Sequence, residues 1–375
     1  MFKVIEYFTC FSRPASNFPL FKNSIKAKIT DYTQLENMAL TNPVRVGVIG
    51  AGSFGTAIAS LLAHNVEVLI YSRKEALVQQ INQTHQNFNI LFPDHVFATS
   101  NLQLMASTCH VLFPIVASAH FREVMQQISP FLTPEHILIH GTKGLDIADV
   151  DEAIPFSARQ VQTMSQIILK ETNCKRVGCL SGPNLATEIL LGQPTATVVA
   201  SQYKEVIDIG KKVLASSKFH AYGSHDVLGA EWAGALKNVV AIGSGLLKGM
   251  GYGKNLQAVL ITKGLQEMIE FGKAVGASEQ AFYSMAGIGD LFATTTSKKS
   301  RNYTFGYRIG QGEQVEDVIA SSLELAEGRR TIKICRQLAI YYRLQVPVFE
   351  ALYYIIVEKA STLSIVNTLI EHRQL

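Results

Sequence analysis

Short apolar runs alternate with amphipathic helical stretches from Val44 to about residue 225, and beyond that point the apolar runs stop. The first run, Val44–Ile49, enters Gly50-Ala51-Gly52-Ser53-Phe54-Gly55. A helical pattern and a second run, Val66–Tyr71, follow. Runs of strand length recur at His110–Val116, His136–Gly141, Arg176–Ser181, Thr195–Ala200 and Lys218–Tyr222. Between them lie helical patterns such as Ala119–Gln127, after a cap candidate at Ser118, and Lys204–Ala215. Such alternation predicts a mostly parallel sheet with helices on both faces. From residue 226 only helical periods remain, over about 226–250, 255–275, 279–286, 314–323, 329–343, 348–359 and 362–373. Gly276, Gly287, Gly289, Gly310, Gly312 and Pro347 punctuate them.

The glycine-rich turn gives the first half of this pattern a chemical meaning. Gly50 permits a tight turn out of the strand. Gly52 lets the backbone approach a pyrophosphate, and Gly55 lets the helix pack on the sheet. Free N–H groups and the positive helix end at Ser53, Phe54 and Gly55 then face the phosphates. In a strand–turn–helix–strand context the motif predicts dinucleotide binding; a tight turn in some other α/β fold is the alternative. The expected fold class is α/β: a Rossmann-like, doubly wound, mostly parallel sheet over 44–228, then an all-α domain over 229–375. About 20 residues after Gly50, where an NAD site usually carries an acid, stand Ser72, Arg73 and Lys74. Two cations there suit a 2′-phosphate, so NADPH is expected over NADH.

Composition narrows the field. At 375 residues the chain has room for two cores. A net charge of +4 suits a small anionic substrate and is too weak to argue for nucleic acid. The five cysteines, Cys10, Cys109, Cys174, Cys179 and Cys335, match no zinc or disulfide spacing and fit buried thiols in a reducing cytoplasm. No apolar run reaches the roughly 20 residues of a membrane span, so no stable membrane anchor is expected. Val239–Leu247 lies between Lys237 and Lys248 and reads as a core helix. Residues 1–37 share none of the periodicity. Within a segment 1–43 set apart from both domains, they read as an unneeded extension or a start-site artefact, since Met38 lies just before the first strand; a transit peptide is the alternative.

Several polar residues stand where an apolar pattern does not call for them. Lys237 sits in the apolar helix Trp232–Ile242, next to Asn238; it is either a functional ammonium or a lysine snorkelling to water. Asp290 follows Gly287-Ile288-Gly289, which suggests a carboxylate delivered to a special place; a helix cap is the alternative, and the two are compatible. Ser300-Arg301-Asn302, after Thr294-Thr295-Thr296, is either a phosphate cage or an exposed polar loop. Lys143, Gly182 and Asn184 follow apolar strands, where open α/β sheets bind ligands. His110, His136 and His140 read as structural, and with no metal-like pairing no metal is expected.

Taken together these stretches resemble the NAD(P)-dependent sn-glycerol-3-phosphate dehydrogenase family. The resemblance runs from about Val44 to the C-terminus, through Gly50–Thr56, Thr142–Gly144, Ser181–Glu188, Gly234–Gly245, Met285–Leu291, Ser300–Asn302 and Glu327-Gly328. It implies reversible reduction of dihydroxyacetone phosphate to sn-glycerol 3-phosphate, the backbone precursor of phospholipids. It further implies that Lys237 is the catalytic lysine, that Asp290 pairs with it, and that Lys143 contacts the substrate oxygen. Asn238 and Thr294 would hold the substrate, and Ser300, Arg301 and Asn302 its phosphate, with Arg301 also near the cofactor. Gly182 and Asn184 would line the substrate site; Ala186 and Glu327 would face the cofactor. The chain differs from the family pattern at Phe54, where many members have tryptophan, and at Ile115-Val116-Ala117, where Val-Pro is usual. The stretch Asp149–Val161 reads as a surface insertion. The resemblance admits a homodimer. Two other readings compete: a two-domain hydroxy-acid dehydrogenase, and a non-catalytic NADPH-binding protein.

Overall fold

The computed structural model describes residues 45–147, 160–322 and 326–371. The expectations for segment 1–43, and for 149–159 of the insertion, therefore lie outside the described residues.

Eight strands form one sheet: β1 Arg45–Ile49, β2 Glu67–Tyr71, β3 Val96–Thr99, β4 Val111–Pro114, β5 Ile137–His140, β6 Arg176–Ser181, β7 Thr195–Ser201 and β8 Phe219–Ser224. Their order is β8-β7-β6-β5-β4-β1-β2-β3. Only the β6–β7 pairing is antiparallel. Gly47 of β1 pairs with Leu69 on one side and Leu112 on the other, which fixes the central register. Every residue of β1 except Arg45 is buried, as expected of a strand covered on both faces. Arg45 lies at the open end and donates to Glu67 at 2.9 Å.

The sheet thus follows the predicted alternation, with one strand more than the apolar runs suggested. β3 was not expected. It is one of the sheet's two edge strands, and its apolar stretch, Val96-Phe97-Ala98, is only three residues long. Helix α1 (Ser53–Leu62) packs beneath β1.

After β8 the described residues are helical. Helix α2 (Val227–Gly249) is the hub, with every residue from Gly229 to Leu247 buried. Asp226 starts it by accepting from Gly229 N at 2.8 Å. Around it pack α3 (Lys254–Ala274), α4 (Asp290–Thr296), α5 (Arg301–Gly310), α6 (Glu327–Tyr342) and α7 (Pro347–Ile356). Helices α2 and α5 touch backbone to backbone. A Cβ on Gly306 would lie 1.9 Å from the Ile242 carbonyl oxygen, and one on Gly245 1.9 Å from that of Tyr303. Only glycine permits this approach. It brings the start of α5 against the polar residues of α2. Helices α4 and α5 were not among the expected elements.

Leu236, Val239, Val240 and Leu247 fill the centre of the helical core, each stabilising the fold by about 1.5–3 kcal/mol relative to exposure. Among the described residues, no helix is long and apolar enough to cross a membrane. The four described cysteines are free and buried.

Candidate active site

The order of the sheet reverses between β1 and β4, and in open α/β sheets the crevice beyond the strand ends at such a point binds ligands. Gly50 turns the chain there at φ +122° and donates its N–H to Tyr71 O at 3.0 Å. A Cβ on Gly50 would meet Ile115 O at 2.1 Å. A Cβ on Gly52 would meet nothing within 4 Å, so the backbone there faces open space. Helix α1 begins at Ser53, and its first-turn N–H groups have no intrahelical acceptors. An open glycine backbone over a helix N-terminus fits a pyrophosphate. Phe54 packs against Gly141 at the end of β5. At the end of β2, Ser72 Oγ accepts from Lys74 N at 3.2 Å, while Arg73 and Lys74 are exposed. The nearest acid, Glu75, is engaged by Ser100 Oγ at 2.5 Å.

Lys143, just beyond the end of β5, meets residues of the helical half. Its Nζ donates to Asp290 Oδ2 at 2.6 Å and to Gly182 O at 2.9 Å. Lys237 Nζ, from the middle of α2, donates to the other oxygen, Asp290 Oδ1, at 2.6 Å and to Thr294 Oγ1. Thr294 lies one turn after Asp290 on α4, 3.4 Å from the same carboxylate oxygen. Two ammonium groups thus share one carboxylate whose residue is 1% exposed. Lys237 is 5% exposed, so the snorkelling alternative is ruled out.

Asp290 owes its place to a single π-turn, Met285–Gly289, which delivers it as the first residue of α4. It is not the cap: Gly289 holds that position, and the Asp290 carboxylate turns to the lysines instead. Burial is the largest influence on Lys237, with Lys143 and Arg301 adding to it, against the attraction of Asp290. The net result brings its ammonium down to about 8.

An amide relay backs this cluster. Gly328 N donates to Asn302 Oδ1 at 2.9 Å, and Asn302 Nδ2 donates to Asn238 Oδ1 at 3.0 Å. Asn238 Nδ2 in turn lies 3.5 Å from Lys143 O and Gly234 O. The exposed-loop alternative for Ser300–Asn302 is corrected. Ser300 caps α5 through Tyr303 N at 3.3 Å, Arg301 and Asn302 form its first turn, and Ser300 and Asn302 are buried. Arg301 is exposed, yet its charge is felt at Lys237.

Gly182 adopts φ +132° and presents its carbonyl to Lys143. Asn184 Nδ2 donates to Thr197 Oγ1 at 2.8 Å, while its Oδ1 is buried and without a protein partner. Ala186 opens the short helix Ala186–Leu190, which packs on α1. Glu327, first residue of α6, accepts from Ser118 N at 2.9 Å and from Ser118 Oγ. The expected cap at Ser118 is corrected accordingly: Ser118 is the first residue of its helix, and its hydroxyl donates to Glu327. The Ser118–Glu327 pairing and the amide relay were missed in the sequence, because their members lie far apart along the chain.

His136 Nε2 contacts Ala106 O at 2.9 Å, and His140 Nε2 contacts the buried Glu231 at 2.9 Å. Among the described residues, no group of His, Cys, Asp or Glu is arranged to hold a metal ion.

The chain matches one enzyme family along most of its length. The family model for the NAD-dependent glycerol-3-phosphate dehydrogenase N-terminus matches residues 45–207, and that for the C-terminus matches 226–367. The glycerol-3-phosphate dehydrogenase [NAD(P)+] of Acinetobacter baylyi is 38% identical over 92% of this chain and 95% of its own length. The protein of that name from an Exiguobacterium species is 36% identical over 84% and 92%. Among solved structures, glycerol-3-phosphate dehydrogenase from Coxiella burnetii aligns with a TM-score of 0.80 at 27% identity, covering 88% of this chain and 99% of that one. The Saccharomyces cerevisiae enzyme aligns with a TM-score of 0.75 at 26% identity, covering 88% and 100%.

Proposed function

This chain belongs to the NAD-dependent glycerol-3-phosphate dehydrogenase family, and from that premise we propose which residues carry its reaction and how. The protein is an NAD(P)-dependent oxidoreductase that interconverts dihydroxyacetone phosphate and sn-glycerol 3-phosphate. The observation that carries the assignment of residues is the buried cluster in which Lys143 and Lys237 share Asp290.

The open backbone at Gly52, the start of α1 at Ser53–Gly55 and the crevice beyond β1 and β4 fit the cofactor's pyrophosphate. When bound, the reduced nicotinamide supplies a hydride to the carbonyl carbon. Charge at the carbonyl oxygen then develops toward Lys237 and Lys143. Lys237 gives that oxygen a proton from Nζ and becomes a neutral amine held by Asp290 and Thr294. In the oxidising direction the neutral amine takes the proton back. An ammonium brought down to about 8 serves both directions near neutral pH. Lys143 polarises the oxygen.

Lys143 and Lys237 bring two cations to the single Asp290 carboxylate, and that excess complements a phosphate ester. Ser300, Arg301 and Asn302 offer the phosphate a helix N-terminus and a guanidinium. The amide relay through Asn238 and Asn302 keeps the Lys143 backbone in register with α6. A non-catalytic dinucleotide-binding protein would have no need for two lysines on one buried aspartate, given the cost of burying Lys237 and Asp290.

Arg73 and Lys74, with no acid among residues 71–74 and Glu75 turned to Ser100, support a preference for NADPH. Free, buried cysteines support a cytoplasmic enzyme, and the product would feed glycerophospholipid synthesis. The assignment is tested by following NADPH consumption by purified protein with dihydroxyacetone phosphate, with NADH in parallel, and NADPH formation from NADP+ with a 3-hydroxy acid. Turnover of the hydroxy acid alone would favour the competing dehydrogenase.

A further inference from the structure

Lys143 lies on a short segment that joins the two halves of the fold. On its N-terminal side, Thr142 Oγ1 donates to Val116 O at 2.7 Å, within the sheet half. On its C-terminal side, Leu145 is fully buried in the helical core. Asp146 follows, also buried. One oxygen of Asp146 accepts from Arg122 Nε at 2.9 Å, and the other pairs with Arg330. Arg122 belongs to the helix Ser118–Ile128 of the sheet half, and Arg330 to α6 of the helical half. Arg122 is held further by Glu171 and by Gln162 at 2.6 Å.

Ser118 and Arg122 are four residues apart on one helix, and Glu327 and Arg330 three apart on the other. The two helix starts therefore face each other through two rungs: Ser118–Glu327, and Arg122–Asp146–Arg330. Gly144 lies directly beneath the first rung. A Cβ there would sit 2.6 Å from Ser118 Cβ and 3.4 Å from Glu327 Oε2. The segment carrying Lys143 is thus clamped between both rungs.

We propose that Asp146, by joining Arg122 to Arg330, is a positioning residue for Lys143. It fixes the placement of the Lys143–Asp290–Lys237 cluster relative to the dinucleotide crevice. The proposal rests on the reaction assigned above. Reacting groups displaced by about 1 Å can lose a hundredfold in rate, so the strap should be read mainly in kcat.

The test compares wild type with Asp146→Asn, Arg330→Met and Arg330→Lys. It measures kcat and KM for dihydroxyacetone phosphate, Kd for NADPH, and amide hydrogen exchange across residues 141–147. Asp146→Asn and Arg330→Met should lower kcat about tenfold to a hundredfold, leave NADPH Kd within about twofold, and speed exchange in the segment. Arg330→Lys, which keeps the charge, should regain most of the rate. A kcat within about twofold of wild type in both variants overturns the proposal. So does a matching loss of NADPH affinity, or a lysine variant no better than methionine. If Asp146→Asn fails to fold, Arg330→Met decides, since it leaves Arg122 paired with Asp146. Wild type inactive on dihydroxyacetone phosphate counts against the reaction itself; the exchange measurement then decides the strap alone, with unchanged exchange refuting it.

Discussion

The titration of Lys237 should be visible in the pH dependence of turnover. Its ammonium stands at about 8 in place of the ordinary 10.5, a difference on the order of 3 kcal/mol between its two protonation states. At pH 7.5 about a quarter of the protein would hold it neutral, against about one part in a thousand for an ordinary lysine. In the reducing direction the charged form is needed. The kcat/KM for dihydroxyacetone phosphate, which reports the free enzyme, should be level below pH 8 and fall tenfold per unit above it. In the oxidising direction the neutral form is needed, so kcat/KM should rise tenfold per unit up to pH 8 and then level. Asp290 holds the charged form against burial, so Asp290→Asn should move the break to lower pH by about 1–3 units. Arg301 acts the other way, and Arg301→Ala should move it to higher pH. The assay is initial-rate kinetics in both directions in buffers of constant ionic strength. A wild-type break near 10.5, or an Asp290→Asn break that does not move to lower pH, would remove Lys237 as the titrating group.

Other consequences follow from single contacts. Lys237→Met should cut kcat by about a hundredfold to ten-thousandfold, yet leave the melting temperature close to wild type, because Asp290 keeps Lys143; a collapse in stability would show that the lysine is chiefly structural. Gly306→Ala places a Cβ 1.9 Å from Ile242 O and should destabilise by about 1–3 kcal/mol or more, read by denaturant unfolding. Glu267, buried on α3, accepts from Val348 and Phe349 N–H at the start of α7 at 2.8 and 2.9 Å; burial outweighs those bonds and pushes its carboxyl up to about 8. With the folded value above the unfolded 4.5, its contribution is full below pH 4.5 and is lost as pH rises through 8. Glu267→Gln should flatten that part of the stability profile in thermal melts from pH 4 to 9, and a variant whose profile matches wild type would contradict this. Arg73→Ala should cost kcat/KM with NADPH about tenfold or more while sparing NADH; equal losses would remove Arg73 from coenzyme choice.

Much of this architecture is legible because the sheet is buried on both faces and the apolar runs that form it are uninterrupted. The glycine turn at 50–55 is local, and its meaning is carried by its own strand and helix. β3 escapes because its apolar stretch, Val96-Phe97-Ala98, is only three residues long. Helices α4 and α5 escape because Thr294–Asn302 is dense in hydroxyls and lysines, which read as loop until α2 is known to lie beneath them. Gly245 and Gly306 are a matched pair only once both helices are in place. Lys237 and Asp290 stand out individually, each a charge amid apolar neighbours. Their convergence with Lys143 joins residues 147 and 53 positions apart, and no local period carries that. Glu327, Ser118, Asp146 and Arg330 are ordinary surface residue types, and only the meeting of two helix starts gives them a purpose.

Hydride transfer from the cofactor to dihydroxyacetone phosphate, dependent on Lys237, can be observed directly. Purified protein is given NADPH deuterated at the transferring position of the nicotinamide, together with dihydroxyacetone phosphate, and the product is read by NMR and mass spectrometry. The expected product from wild type is sn-glycerol 3-phosphate carrying one deuterium on carbon 2, with essentially none from Lys237→Ala protein that still binds NADPH. Absence of labelled product from wild type, or undiminished labelling by Lys237→Ala, would contradict the assigned chemistry.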